Sequence, residues 1–224
     1  WATSILQAID DSGKLISCLP ELIDSQDPIG TITLEIAKQF QLSPDVIVSS
    51  GGGDNMMAAI GTGNVFPGVV TTSLGTSGTI YSCTDKPIID QKGELAAFCS
   101  SSGHWLPLVC TMNVTVSTEL TRTLLGLNIE DMNQKAASAP LGSEGLTLLP
   151  YFNGERTPAL PNAKAVLYGI TGVNYNSENL CRSAMEGATL GLRYGLDVLR
   201  QRGIVPHEIR LVGGGAKSAL WRQM

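Results

Sequence analysis

The chain has 224 residues, of which 43% are hydrophobic, and a formal net charge of −5. That length can hold one large or two smaller cores, the acidic balance gives no basic footprint for nucleic acid, and no apolar run reaches the ~20 residues of a membrane-spanning helix. Five cysteines, Cys18, Cys83, Cys99, Cys110 and Cys181, are odd in number and never spaced C-x-x-C, so they read as buried reduced thiols rather than a disulfide framework or a zinc knuckle. Two histidines, His104 and His207, are too few for a histidine-rich metal site. The start Trp1-Ala2-Thr3-Ser4 lacks the basic opening of a signal peptide and soon meets Asp10 and Asp11, so the expected location is the cytoplasm. An opening without methionine and an ending one turn into a helix at Trp221-Arg222-Gln223-Met224 lead to the expectation of an internal piece of a longer protein.

In chain order, helices are expected through Ile5–Ile9, near Leu19–Ile23 and over Leu34–Phe40, followed by a strand over Asp45–Ser50. A small-residue helix from about Met56 ends at the Gly61–Gly68 break, which places a domain boundary between 1–66 and 67–224. Two β-branched runs, Val69–Ser73 and Thr79–Cys83, flank Leu74-Gly75-Thr76-Ser77-Gly78 as a hairpin. Ala96–Ser100 and Trp105–Val109 add strands, and a helix runs from about Val114 to Leu125 with Gly126 as its stop. Leu146–Pro150 leads into a long irregular stretch. The strongest helical pattern is Ser177–Arg202, whose stripe of Leu180, Ala184, Ala188, Leu192, Leu196 and Leu199 ends at Gly203. Within it Gly187, Gly191 and Gly195 each cost ~1 kcal/mol against alanine, so close packing of that face on a sheet is expected. Strand Glu208–Val212 closes the list, and the alternation implies an α/β architecture with a site between halves.

Two strands run into three glycines, and each such junction offers backbone N–H groups to an anion. After the first come Asp54 and Asn55; a carboxylate there can aim a hydroxyl and take its proton, while Asn55 offers a donor and an acceptor to a polyol. The alternative is that Asp54 merely caps the following helix. Gly75, Thr76 and Ser77 can hold phosphate oxygens or form an ordinary turn. After the second triple glycine, Gly213-Gly214-Gly215-Ala216-Lys217-Ser218 matches neither a P-loop nor a dinucleotide fingerprint, yet Lys217 can reach a phosphate. Glu155 and Arg156 either line a cleft or form a surface ion pair. Together these junctions suggest phosphoryl transfer.

Four segments in this order resemble the FGGY carbohydrate kinases over nearly the whole chain: Gly51-Gly52-Gly53-Asp54-Asn55, Ser73-Leu74-Gly75-Thr76-Ser77-Gly78, Gly154-Glu155-Arg156-Thr157-Pro158, and Gly213 to Ser218 with Trp221 and Gln223. The resemblance implies an α/β, actin-like and ribonuclease-H-like two-domain fold that closes over sugar and ATP, with Mg2+ as the expected companion of ATP. It implies that Asp54 is the catalytic base and contacts the sugar with Asn55. It also implies that Gly75, Thr76, Ser77, Gly213, Gly214, Gly215, Ala216 and Lys217 bind ATP, and it assigns no metal ligand. Asn55 fits the D-xylulose branch of the family better than the glycerol branch. Ribulose, glycerol and gluconate kinases remain alternatives, as does a non-catalytic actin-like nucleotide module. The resemblance admits a homodimer and implies no nucleic-acid or membrane partner. The family's early phosphate hairpin is not among these residues, so the 224 residues alone are expected not to turn over.

Overall fold

The computed structural model describes residues 1–224. Its elements are α1 (Thr3–Ile9), α2 (Lys14–Ser17), β1 (Pro28–Thr31), α3 (Leu34–Phe40), β2 (Ile47–Ser49), α4 (Asp54–Gly61), β3 (Val69–Leu74), β4 (Gly78–Ser82), β5 (Ala96–Cys99), β6 (Trp105–Thr111), α5 (Thr115–Leu124), α6 (Ile129–Ser138), β7 (Thr147–Leu149), β8 (Val166–Tyr168), α7 (Ser177–Gln201), β9 (Glu208–Val212) and α8 (Ala219–Gln223). They form two compact units, Trp1–Asp54 with Ser101–Gly103, and Asn55–Ser100 with His104–Met224.

The larger unit is built on a five-stranded sheet of order β5-β6-β4-β3-β9. Strands β3, β4, β6 and β5 pair antiparallel, and β9 lies parallel to β3 with Ser73 opposite Val212. Alternation along each strand sends side chains to two covered faces. Val70, Ile80 and Val109 join Ala184, Ala188, Leu192 and Leu199 of α7 in one core. On the other face Tyr81, Leu106 and Leu108 pack with Ala59 of α4.

Helix α7 follows its sequence signals closely. Asn176 caps it by accepting from Asn179 N at 2.9 Å, and Gly203 turns away from it at φ 87°. A Cβ on Gly187 would stand 2.2 Å from the Leu148 carbonyl oxygen, and one on Gly195 would stand 2.9 Å from Val109. Both glycines let the helix lie close against strands. Gly191 faces open space and has no such reason to be glycine.

Several expectations need correction. No helix forms over Leu19–Ile23: the Asp10 carboxylate accepts from Leu15 N at 2.7 Å and starts a turn earlier, at Lys14–Ser17, while Leu19 precedes a proline and is steered out of the helical region. Helix α4 begins at Asp54, two residues before the expected start. Residues Thr147–Leu149 are a strand paired with β8, and α6 occupies a segment with no expected element. The five cysteines are free thiols, but Cys18 and Cys99 are exposed rather than buried. No helix is long and apolar enough to cross a membrane.

In the smaller unit, β1 and β2 form an antiparallel pair. The Ser50 hydroxyl donates to Ser25 O at 3.0 Å, and Gln26 Nε2 donates to Ser102 O at 3.3 Å. Ala37 is its buried hydrophobic residue, while Ile9, Ile29, Leu34, Phe40 and Ile47 stay exposed.

Candidate functional site

Parallel pairing of β3 and β9 brings their C-terminal ends, and so two of the glycine turns, to one edge of the sheet. Gly213, at φ 90°, lies so close to the other turn that a Cβ there would be 2.8 Å from Leu74 O and 3.2 Å from Gly75 N. Only glycine allows that approach. The hairpin turn is in turn tied to the start of α5, because Thr115 N donates to Gly75 O at 2.9 Å and Val114 N to Thr76 O at 3.1 Å. Thr76 and Ser77 are exposed at the tip.

Beside this edge lies a cavity of about 490 Å³. Its floor is Gly214, Gly215 and Trp221; its walls are Thr115 and Thr118 of α5, Ile129, Met132 and Asn133 of α6, and Met185 of α7. The Trp221 ring packs where a Cβ on Gly215 would fall, 3.1 Å from the ring, and its indole N–H donates to Thr189 Oγ1 at 2.9 Å. Ser218 caps α8 by accepting from Trp221 N at 3.3 Å and donates to Asn133 Oδ1 at 2.8 Å, which joins the glycine loop to α6. Lys217 is exposed at the rim and Ala216 is half-buried. A flat apolar floor with a few polar groups above backbone N–H groups is suited to a ligand with an aromatic ring and an anionic tail. A second cavity, about 700 Å³, is lined by Leu141, Leu190, Leu220 and Met224 with the paired Arg182 and Glu186, and carries no glycine turn of this kind beyond Gly142.

The other expected residues stand on other elements. Asp54 is exposed and is itself the first residue of α4, where a carboxylate is favoured by the helix dipole. Asn55 is half-buried and accepts from the Thr79 hydroxyl at 3.2 Å. Glu155 is buried, and its carboxylate accepts from Met112 N at 2.7 Å, Arg156 N at 2.8 Å and Asn113 Nδ2 at 3.1 Å. That carboxylate anchors a loop instead of facing a cleft, and it makes no ion pair with Arg156. Arg156 is exposed and lies against the Cys110 thiol, which burial pushes up and the guanidinium pulls back.

No three His, Cys, Asp or Glu side chains of the chain converge as a metal cluster. A magnesium ion accompanying a nucleotide would be held chiefly by phosphate oxygens and water, which is compatible with such a protein surface.

In this mixed α/β fold two glycine turns and an apolar cavity meet at strand C-termini, where open α/β sheets commonly take their ligands. The model of the FGGY family of carbohydrate kinases, C-terminal domain, matches residues 70–224, that of the N-terminal domain matches residues 1–61, and the chain belongs to this family. It is 51% identical over its full length to the xylulose kinase of Haemophilus influenzae, of which it covers 45%. The crystal structure of xylulose kinase from Bifidobacterium adolescentis matches 81% of the chain and 36% of that protein at 39% identity and TM-score 0.72. The crystal structure of gluconate kinase from Lactobacillus acidophilus matches 92% of the chain and 42% of that protein at 27% identity and TM-score 0.83. The chain thus spans about half the length of the relatives it matches.

Proposed function

We propose that the whole protein transfers the γ-phosphoryl group of ATP to D-xylulose, giving D-xylulose 5-phosphate. Residues 1–66 would belong to the sugar-binding domain and residues 67–224 to the ATP-binding domain. The reading is carried by the meeting of the Gly75–Ser77 and Gly213–Gly215 turns beside the cavity, in a chain half identical to a xylulose kinase.

On this reading the nucleoside lies in the cavity on Gly214, Gly215 and Trp221, with Thr118 and Asn133 as polar wall. Gly75, Thr76, Ser77, Gly213, Ala216 and Lys217 face the phosphates. Asp54 accepts the proton of the attacking hydroxyl as the new O–P bond forms and the bond to the nucleoside diphosphate breaks. Asn55 holds a second sugar hydroxyl, its side chain positioned by Thr79. Bound magnesium would neutralise phosphate charge.

A coupled assay of the whole protein against D-xylulose, ribulose, glycerol and gluconate tests the reading. D-xylulose should give the highest kcat/KM. A higher value for gluconate or glycerol would replace the substrate, and no turnover with any of them would favour a non-catalytic nucleotide module.

A further inference from the structure

Six of the chain's eight arginines pair with carboxylates, and Arg222 donates to the Ala216 carbonyl. Arg156 does neither, although its own N–H and the residues before it are tied down by hydrogen bonds. Glu155 ties the loop to the end of β6 through Met112 N and Asn113, and Asn113 Nδ2 also donates to Gly154 O at 2.7 Å. Gly154, at φ 73°, packs so closely on Pro161 that a Cβ would stand 2.2 Å from its carbonyl oxygen. A solvated surface arginine does not need so fixed a base.

Glu155 Oε1 accepts from both Met112 N and Arg156 N, which fixes Arg156 at the end of β6, two residues past Cys110. Cys110, whose thiol feels the guanidinium, sits directly opposite Thr79 in the β4/β6 register. Opposed residues of an antiparallel pair share a face with Cβ atoms ~5 Å apart. Thr79 in turn donates to Asn55. Arg156, Cys110, Thr79 and Asn55 therefore form one line across the α4 face of the sheet, and the line ends at the residue next to Asp54. A planar guanidinium held on an anchored loop matches two oxygens of a phosphate at once.

We propose that Arg156 is the anion-binding residue of the acceptor side: its guanidinium holds the phosphate of the sugar phosphate once it has been formed beside Asn55. This rests on the kinase reading above. It assigns to Arg156 a role separate from the nucleotide cavity, in which α5, α6 and the glycine loop act.

The test uses the whole protein with Arg156→Ala and Arg156→Gln, the second keeping part of the stem. D-xylulose 5-phosphate binding, measured by calorimetry, should weaken about 10-fold to 100-fold in both, the range for a lost charge-assisted pair. The KM for ATP and the melting temperature should stay near those of the unaltered protein, and millimolar guanidinium should restore part of the D-xylulose 5-phosphate affinity of Arg156→Ala. Product binding as tight as in the unaltered protein would overturn the proposal, as would a loss accompanied by a matching fall in melting temperature and no rescue. Asp54→Asn, assayed alongside, separates the two readings: if it turns over normally the kinase chemistry assigned to Asp54 is wrong, whereas if it is dead while Arg156→Ala keeps full product affinity, only the role of Arg156 falls.

Discussion

The two compact units use the same kinds of element with different results. In residues 1–54 the helices and the β1–β2 pair are fixed by local devices, such as the Asp10 and Thr33 side chains that accept backbone N–H groups, and large apolar side chains stay in solvent. Residues 55–100 and 104–224 bury theirs on both faces of one sheet. Local hydrogen bonds can draw an element, but burial is what makes it expensive to disturb.

Removing apolar surface from each unit should have the largest and most unequal effects. Leu199→Ala in α7, where the side chain is 0% exposed, should cost about 2–5 kcal/mol of unfolding free energy. Phe40→Ser in α3, 61% exposed, should stay within about 0.5 kcal/mol. Equal losses in a denaturant titration would show that the first unit has a core that burial does not reveal.

A smaller effect separates two glycines of the same helix. Gly187→Ala drives a methyl group at the Leu148 carbonyl and should destabilise by about 1–3 kcal/mol. Gly191→Ala meets nothing and should stabilise by about 0.5–1 kcal/mol through helix propensity alone. Thermal melts of the pair should move in opposite directions.

The smallest expected effect is electrostatic. The Lys135 ammonium, helped by the Glu178 backbone and the Ser177 hydroxyl, holds the Glu178 carboxyl down from 4.5 to about 2. A carboxyl that titrates lower folded than unfolded stabilises the fold above about pH 4.5, and loses that contribution as pH falls toward 2. Because both side chains are about a third exposed, the loss is modest. Glu178→Gln should flatten the acid limb of the melting profile between those values and leave neutral pH nearly unchanged.

Much of this was legible in the sequence because the signals were local and agreed with one another. The leucine and alanine stripe and Gly203 define α7 to within a residue at its end. The hairpin and the β9 glycine loop follow from β-branched runs that stop on glycine. Helix α6 escaped, although Asn128 caps it and Glu130 and Asp131 sit in its first turn, because only Met132 and Ala136 are buried and the apolar period is thin. That omission hid half of the cavity wall, Ile129, Met132 and Asn133. Strands β7 and β8 have three residues each and are held by pairing across a long connection, which no local pattern records. Glu155 was visible as a charged residue in a stiff loop, but its burial depends on Met112 and Asn113, some 40 residues away.

Chemistry at Asp54 and nucleotide binding at the glycine loop, as proposed above, are separated by one paired titration. ATP is titrated into the whole protein, into Asp54→Asn and into Gly214→Val, whose Cβ would meet no atom within 4 Å and whose branched side chain adds bulk to a residue that lines the cavity; turnover of D-xylulose is measured on the same samples. Asp54→Asn should bind ATP normally and lose about 100-fold to 10,000-fold in kcat, while Gly214→Val should lose ATP affinity with an unchanged melting temperature. Near-normal turnover in Asp54→Asn would remove the base assignment, and undiminished ATP binding in Gly214→Val would remove the nucleotide site.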